Sequence, residues 1–372
     1  MGNTALQNRG GGLGAVSVGE YRGSTTAARF GDLQAEFAAS RGACGVYDLG
    51  FRAKISLTGG DRVRWLNGMV TNNIRDLSAG QGVYAFLLNP QGHILGDLYA
   101  YNRGESIAVD TDCGQAEKIL ATFDHYIIMD DVEVANVSEQ LTAVGISGPK
   151  SREVLSAAGF QTPEMQALHI NSVTWQGTEC TLVRGEDPER VSYEIWIAPD
   201  SALQLWEALL AAGAAPVGSE ALEMHRIVSG VPRYGVDIRE RDLPQETEQA
   251  RALNFNKGCY VGQEIVERIR SRGTVHRKFT GFIVEGVAEI AAGAKIVAGE
   301  KEVGEITSAA ALPLAGGGKT VALGYIRREA GLPGREVAIG AAKATVVQLP
   351  VADLSVTDRA LLEERALEQH PA

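Results

Sequence analysis

The chain has no paired cysteines. Its four cysteines, Cys44, Cys113, Cys180 and Cys259, are scattered over 372 residues, and none stands in a Cys-x-x-Cys spacing. That pattern excludes a disulfide framework and a self-contained zinc or iron–sulphur site, because either needs several thiols close together. Six histidines are equally dispersed and no His-Glu-x-x-His occurs, so no metal site is expected. No apolar run approaches the roughly 20 residues of a membrane-spanning helix. Residues 1–19 also lack the basic and apolar pattern of a secretory signal. A soluble, cytoplasmic protein without membrane attachment is the expectation. Basic charge is in deficit: the net charge of −11 argues against coating nucleic acid, although it leaves room for a local basic site. Gly11-Gly12-Leu13-Gly14 has no preceding strand and lacks the Gly-x-Gly-x-x-Gly spacing, so it is not a dinucleotide loop.

What is present is globular. Hydrophobic residues make up 45% of the chain, and its length predicts two or three domains. The glycine-rich residues 1–19 read as a flexible tail. Asp32 is placed to cap a helix with Leu33 and Phe37 on one face, and Asp61 to cap another containing Val63 and Leu66. Ala53–Leu57 and Val83–Leu88 read as strands, and Asn89-Pro90-Gln91-Gly92 as the turn into a return strand, Ile94–Tyr101. Asp97 falls in that return strand, where a carboxylate is more often solvent-facing than catalytic. A helix near 114–123 and strands near 132–147 continue a mixed α+β pattern. Three strand-like runs follow, Val173–Trp175, Cys180–Arg184 and Tyr193–Ile197, around a polar loop at 185–190. Asp200 is placed to cap a helix whose Leu203, Trp206 and Leu210 share one face, and a further helix covers 219–228. From Lys278 short β-runs alternate with glycines, which predicts a separate antiparallel barrel or sandwich over 278–355. Residues 356–372 read as an exposed helix or tail.

One stretch resists a packing explanation: Asn256-Lys257-Gly258-Cys259-Tyr260-Val261-Gly262-Gln263-Glu264. Two glycines permit a tight turn around the thiol. Ile265 and Ile269 then follow at helical spacing. A cysteine near a helix N-terminus and beside a lysine is a candidate activated thiolate. A buried, inert cysteine is the equal alternative. Downstream, Arg268, Arg270, Arg272, Arg277 and Lys278 with His276 form a basic stretch. Glu264 and Glu267 can pair part of it along the helix; otherwise it can receive an anionic group.

The run Lys257 to Glu264, followed by Arg268, Arg272 and Gly273, resembles the signature of YgfZ-type folate-binding proteins. These are relatives of an iron–sulphur assembly factor within the superfamily of the glycine cleavage T-protein, an aminomethyltransferase. Gly45-Val46-Tyr47-Asp48, Thr71-Asn72-Asn73, Gly80-Gln81-Gly82-Val83-Tyr84, Gly230-Val231-Pro232-Arg233-Tyr234-Gly235 and Gly324-Tyr325 support the wider superfamily. The resemblance implies an α+β fold: a three-domain ring with two intertwined N-terminal α+β domains over 20–277 and a C-terminal antiparallel β-barrel. It implies bound tetrahydrofolate or a one-carbon-substituted form. Tyr84, Asp97, Val109 and Glu194 are then folate contacts, joined by Tyr260, Gln263 and Arg272. Glu194 would accept the two adjacent donors of a pterin's amino-pyrimidinone edge, a charge-assisted arrangement. Cys259, Lys257 and Asp97 are the candidate reactive residues.

The chain also departs from the T-protein pattern. Two consecutive aspartates of T-proteins correspond here to Gly96-Asp97, and an Arg-Asp pair falls on Leu222 and Glu223. The resemblance therefore implies a folate-binding protein that supports assembly or repair of iron–sulphur proteins, with Cys259 as the working thiol. A transient iron–sulphur cluster shared with a partner is the accompanying expectation, and assembly or client proteins are the expected partners. The rival reading is one-carbon transfer to tetrahydrofolate with Asp97 as acid and base. Direct nucleic-acid binding is not expected, and the oligomeric state stays open.

Overall fold

A computed structural model describes residues 2–11, 13–186, 191–273, 275–313 and 318–351. The expected C-terminal helix or tail at 356–372 and part of the polar loop at 185–190 lie outside the described residues. The described residues form two compact units. The first takes Met1–Gln91, Leu95–Ala221 and Arg251–Gln263, and the second takes Gly92–Ile94, Leu222–Ala250 and Glu264–Ala372.

The first unit opens with β1 (Gly2–Asn3), α1 (Ala5–Arg9), β2 (Ser17–Tyr21) and β3 (Ser24–Arg29). The expected flexible tail is thus a small three-stranded sheet, order β1-β3-β2, with a short helix. Thr4 caps α1, and both Thr4 and Thr26 donate their hydroxyls to the buried Asp48 carboxylate. Leu6 is fully buried in the core. Glycine content alone does not loosen a segment whose Leu6 has a core to enter.

Next come α2 (Leu33–Gly42), β4 (Gly45–Asp48), β5 (Arg52–Thr58), α3 (Arg62–Met69), β6 (Gly82–Leu88), β7 (Ile94–Asn102), β8 (Ile107–Asp112), α4 (Cys113–Tyr126), β9 (Glu133–Asn136), β10 (Thr142–Ser147) and α5 (Ser151–Ala157). The chain continues through β11 (Ile170–Trp175), β12 (Thr178–Arg184), β13 (Ser192–Ile197), α6 (Pro199–Ala211), β14 (Ala215–Pro216) and α7 (Ser219–Ser229). Asp32 caps α2 as expected, accepting the Ala35 N–H at 2.9 Å, a cap worth about 1 kcal/mol. Asp61 occupies the cap position of α3 without a capping bond; its carboxylate serves Asp131 and Arg64 instead. In α6 the first helical residue is Pro199, pre-set for that position, and Asp200 lies inside the first turn rather than at the cap. The buried stripe of α6 accordingly runs through Ala202, Leu205, Trp206 and Leu209, with Leu203 and Leu210 at its margin.

Two sheets dominate this unit. One has six strands in the order β11-β12-β13-β10-β4-β14, and the other has five in the order β6-β7-β8-β5-β9. Side chains alternate along each strand. In β5, β7 and β8 one set (Ile55, Leu57, Leu98, Ala100, Ile107, Val109) joins Trp65, Ile119 and Phe123 of α3 and α4 in an apolar core. The other set is polar: Arg52 and Lys54, Asp97 and Tyr99, Asp110 and Asp112. An antiparallel sheet with one wet face would leave that set exposed. Yet every residue of β8 is buried, because the six-stranded sheet covers the polar face. Tyr101 meets Trp196 edge-on at 5.3 Å, and Lys54 Nζ lies 4.8 Å from the Trp196 ring centre.

In the second unit, α8 (Gln263–Arg272) leads into β15 (Arg277–Val284), β16 (Lys295–Ala298), β17 (Lys301–Leu312), β18 (Lys319–Arg327), β19 (Glu336–Ile339) and β20 (Ala342–Val347). These six antiparallel strands close into the expected barrel, filled by Phe282, Val284, Ile296, Ile306, Ile326 and Val346. Residues 222–250 belong with the barrel rather than with the region before it. Arg226, buried, donates to Asp237 at 2.6 Å and to Ser308 at 2.8 Å, and Asp237 accepts from Ser308 at 2.8 Å. Among the described residues no helix is long and apolar enough to cross a membrane.

Leu6→Ala tests the N-terminal correction. It should destabilise the protein by about 2–5 kcal/mol, the cost of emptying a buried leucine site. The readout is a lowered urea midpoint at unchanged slope, whereas a loose tail would leave the midpoint in place.

Candidate functional site

The covered polar face is where chemistry can be built, and strand register builds it. Arg52 stands opposite Asp112 and Lys54 opposite Asp110 across β5 and β8, while Tyr99 of β7 stands opposite Asp110 from the other side. Arg52 Nη2 reaches Asp110 at 2.7 Å and its Nη1 reaches Asp112 at 2.6 Å. Lys54 Nζ, 1% exposed, lies 2.7 Å from Asp110. Arg22, at the turn between β2 and β3, donates to both Asp112 oxygens at 3.1 Å. Burial alone would raise these two carboxyls. Arg52 with Lys54 at Asp110, and Arg22 with Arg52 at Asp112, outweigh it, so both are held below the usual carboxylate range.

Asp97 and Glu194 differ in kind. Both are half-buried, and among the described residues neither has a cation as hydrogen-bond partner. Asp97 accepts the Tyr84 hydroxyl and the Gln115 amide, each at 2.7 Å, and the Gln115 carbonyl accepts the Asp97 backbone N–H at 3.0 Å. Burial, reinforced by the Asp112 charge, raises Asp97 despite those donors. Glu194, on β13 of the facing sheet, accepts the Trp196 indole N–H at 2.9 Å. Burial and the Asp110 charge raise it, with Lys54 and Arg52 acting in opposition. Three carboxylates on this face and Glu194 on the facing sheet thus divide into two neutralised by cations and two raised above the usual range, a division found at acid–base and ligand sites.

An aromatic wall completes the face. Tyr84 lies 5.0 Å from Tyr99, and Tyr99 stacks on Tyr101 at 6.4 Å. The Arg251 guanidinium sits 4.1 Å from the Tyr84 ring centre and pairs with Glu186, which also accepts the Tyr99 hydroxyl at 2.9 Å. Arg52, Lys54, Asp110, Asp112, Glu186 and Arg251 were not legible as site residues. The usable signal is charge at every second position in two strands, Arg52-x-Lys54 and Asp110-x-Asp112.

Of the residues expected around a folate, Tyr84, Asp97 and Glu194 line this face. Val109 lies in central β8 with its side chain in the apolar core on the opposite face, so it offers the site no side-chain group. Cys259 is exposed, which removes the alternative of a buried, inert thiol. Among the described residues its sulphur has no hydrogen-bond or ionic partner. Gly262 (φ 81°) supplies the left-handed residue of its turn. Lys257 makes no hydrogen bond to the thiol. It is buried, and its Nζ donates to the carbonyls of Asn67, Val70 and Asn72, the last at 2.8 Å. Burial, with Arg75 alongside, pulls its pKa down to about 7. Tyr260 packs beneath it, its ring centre 4.8 Å from Nζ. Neither Cys259 nor Lys257 makes a hydrogen bond or ion pair to Tyr84, Asp97 or Glu194. Gln263 is the first residue of α8. Arg272 is the last, and its side chain lies outside the described residues. The basic stretch follows the ion-pair reading: Arg268 meets Glu264 at 2.6 Å, Arg270 meets Glu267 at 3.5 Å, and Arg277 meets Asp242 and Glu246.

No group of three or more His, Cys, Asp or Glu among the described residues could hold a metal ion. Cys44 and Cys180 are buried and far from Cys259 in sequence. One exposed thiol does not make a cluster site.

The raised carboxyls carry a consequence for stability. A carboxyl raised on folding contributes stability fully below its unfolded value, about 3.9 for Asp and 4.3 for Glu, and loses it as pH rises through the folded value. Asp97→Asn and Glu194→Gln should therefore each flatten the decline of melting temperature on the alkaline side of about pH 4, gaining most at pH 8. Melting curves from pH 4 to 8 check this; an unchanged pH profile would show that neither carboxyl is raised.

Comparison with known proteins agrees with this architecture. Residues 12–257 match the GCVT N-terminal domain, and residues 277–353 match the glycine cleavage T-protein C-terminal barrel domain. The chain is 29% identical over 325 residues to an aminomethyltransferase of Rubrobacter xylanophilus, covering 85% of each protein. It is 26% identical over 352 residues to that of Halothermothrix orenii, covering 91% of this chain and 96% of the relative. The crystal structure of the glycine cleavage system aminomethyltransferase T from Bartonella henselae superposes with a TM-score of 0.84 at 22% identity, covering 94% of this chain and 98% of that one. With both domains matched in order along its length, the chain belongs to the glycine cleavage T-protein family.

Proposed function

We propose that the chain binds a tetrahydrofolate on the charged face of its first unit and supports the assembly or repair of iron–sulphur proteins, with Cys259 as its working thiol. The observation that carries the folate part is the pair of raised, half-buried carboxyls beside an aromatic wall. A pterin edge presents adjacent N–H donors, and among the described residues Glu194 has the Trp196 indole as its hydrogen-bond partner. Those donors would favour ionised Glu194, so ligand binding would draw its raised pKa back down. Tyr99, half-buried and backed by Tyr84 and Tyr101, offers flat apolar area to the ring system, and Arg52 and Lys54 hold the neighbouring charges in place.

The maturation part rests on Cys259, exposed and unpartnered among the described residues, and on the resemblance of residues 257–264 to YgfZ-type proteins. The residues present do not fit a resident cluster, so clusters belong to the client proteins and no step is drawn through one. A cytoplasmic setting, where thiols stay reduced, suits a free working cysteine.

One-carbon transfer is the second reading, favoured by the names of the relatives and by Asp97, whose hydrogen bonds to Tyr84 and Gln115 suit a proton carrier. Against it stands Gly96. A Cβ there would lie 3.1 Å from Gln115 Oε1 and 3.4 Å from Ile119, on the α4 side of the strand. The second aspartate of T-proteins has no counterpart, and restoring it would push on the glutamine that positions Asp97.

Tetrahydrofolate titration of the purified protein, followed by tryptophan fluorescence, tests the ligand. Glu194→Gln should weaken binding about 10- to 100-fold, the loss of a charge-assisted pair, while Cys259→Ala binds as the parent does. A parent protein that fails to bind overturns the folate reading. In cells lacking the protein, a Cys259→Ala variant that fully restores cluster-enzyme activity would remove the thiol from the account. Turnover with an aminomethyl-lipoyl carrier protein, abolished in Asp97→Asn, would instead establish the transferase.

A further inference from the structure

The cysteine-bearing stretch is the end of a strap running from Arg251 to Val261, and one rail receives it. That rail is the C-terminal end of α3 and the residues after it, Asn67 to Asn72. Thr71 Oγ1 donates to the Ala252 carbonyl at 2.6 Å, and Asn72 Nδ2 donates to the carbonyls of Arg251 and Tyr84 at 2.8 Å. The Asn254 N–H reaches the Thr71 carbonyl at 3.0 Å, and the Val261 N–H reaches the Gly68 carbonyl at 3.1 Å. Between these contacts Lys257 inserts its ammonium against the carbonyls of Asn67, Val70 and Asn72.

The last four carbonyls of a helix have no partner within it, and buried ones must find donors elsewhere. Here Asn67 and Gly68 belong to that set, and both partners come from the strap. An ammonium has three N–H donors and no acceptor, which matches the three carbonyls one to one. A cation at a helix C-terminus is also favoured by the helix dipole. No carboxylate pairs with Lys257 among the described residues, and the charged group facing it is Arg75, of like sign. The carbonyl dipoles, with the Tyr260 ring 4.8 Å from Nζ, must compensate it.

We propose that Lys257 is a positioning residue, the clip that fastens the strap to α3 and thereby holds the Cys259 turn outward in one place, rather than an activator of the thiol. The proposal does not depend on which ligand the first unit binds. Every donor of the ammonium is engaged, so none is left for sulphur. Tyr260 and Val261 are held inward on the other side of the thiol, which leaves Gly258 and Cys259 as the crest of the turn.

Residue-resolved amide exchange on the full-length chain, with alkylation of Cys259 by iodoacetamide in parallel, tests this. Lys257→Met keeps the apolar stem and removes the donors. It should speed exchange of the amides at 254–261 and at 70–72 by about tenfold or more, leave barrel strand β15 unchanged, and alkylate Cys259 no more slowly than the parent. Lys257→Arg, which keeps a cation with N–H donors, should recover part of the protection. Slower alkylation at unchanged exchange would make Lys257 an activator and overturn the proposal. Loss of protection that spreads to the barrel, or an arginine variant as loose as the methionine one, overturns it too. Should the methionine variant fail to fold, the parent protein decides. Lys257 should react with acetic anhydride at least about tenfold more slowly than exposed Lys150 and Lys343, and equal rates would refute the clip.

Discussion

Arg52 between Asp110 and Asp112 is the contact on which the first unit depends. It lies on a sheet face that the other sheet covers, where an apolar side chain would pack without penalty. A buried ion pair recovers little net stability over such a packing, because desolvating the charges costs about what their attraction returns. Its presence is therefore better read as maintenance of a charged interior than as reinforcement of the fold. With Lys54 and Arg22, Arg52 fixes where negative charge can and cannot reside. Removing one partner would strand a charge inside the unit, so the network is held together by the cost of breaking it.

That network gives Asp97 and Glu194 their character. Asp112 and Asp110 stay ionised, and each adds its field to the burial that pushes the neighbouring carboxyl up. Two carboxyls anchored by cations and two left to hydroxyl, amide and indole donors are a division of labour created by strand register. The first pair sets the potential, and the second takes the raised pKa values that follow from it. The aromatic side chains sort the same way, with Tyr84 committed to Asp97 and covered by Arg251, and Tyr99 committed to Glu186.

The sequence was most legible where the physics is local. The Asp32 cap, the hairpin around Asn89 to Gly92 and the β-rich region after Lys278 each follow from residues a few positions apart. Long-range placement was not legible. Leu6 looked like part of a glycine-rich tail because nothing nearby announces the core it enters. Arg52 and Asp110 are 58 residues apart, and only the pairing of β5 with β8 makes them neighbours. The contacts of Lys257 are hidden for the same reason. Its sequence neighbour is Cys259, but its three acceptors lie 185 to 190 residues away.

The cysteine motif therefore has a different logic from the one its order suggests. Read along the chain, a lysine beside a cysteine looks like an activated pair. In three dimensions the two residues point to opposite purposes: the lysine satisfies a helix end and the thiol is what remains outside. The exposure of Cys259 follows from the anchoring of its neighbours, since a turn pinned by Lys257 before it and by Val261 after it can present only Gly258 and Cys259. The same strap begins at Arg251, which lies over Tyr84, so the charged face and the exposed thiol are successive stations of one eleven-residue segment.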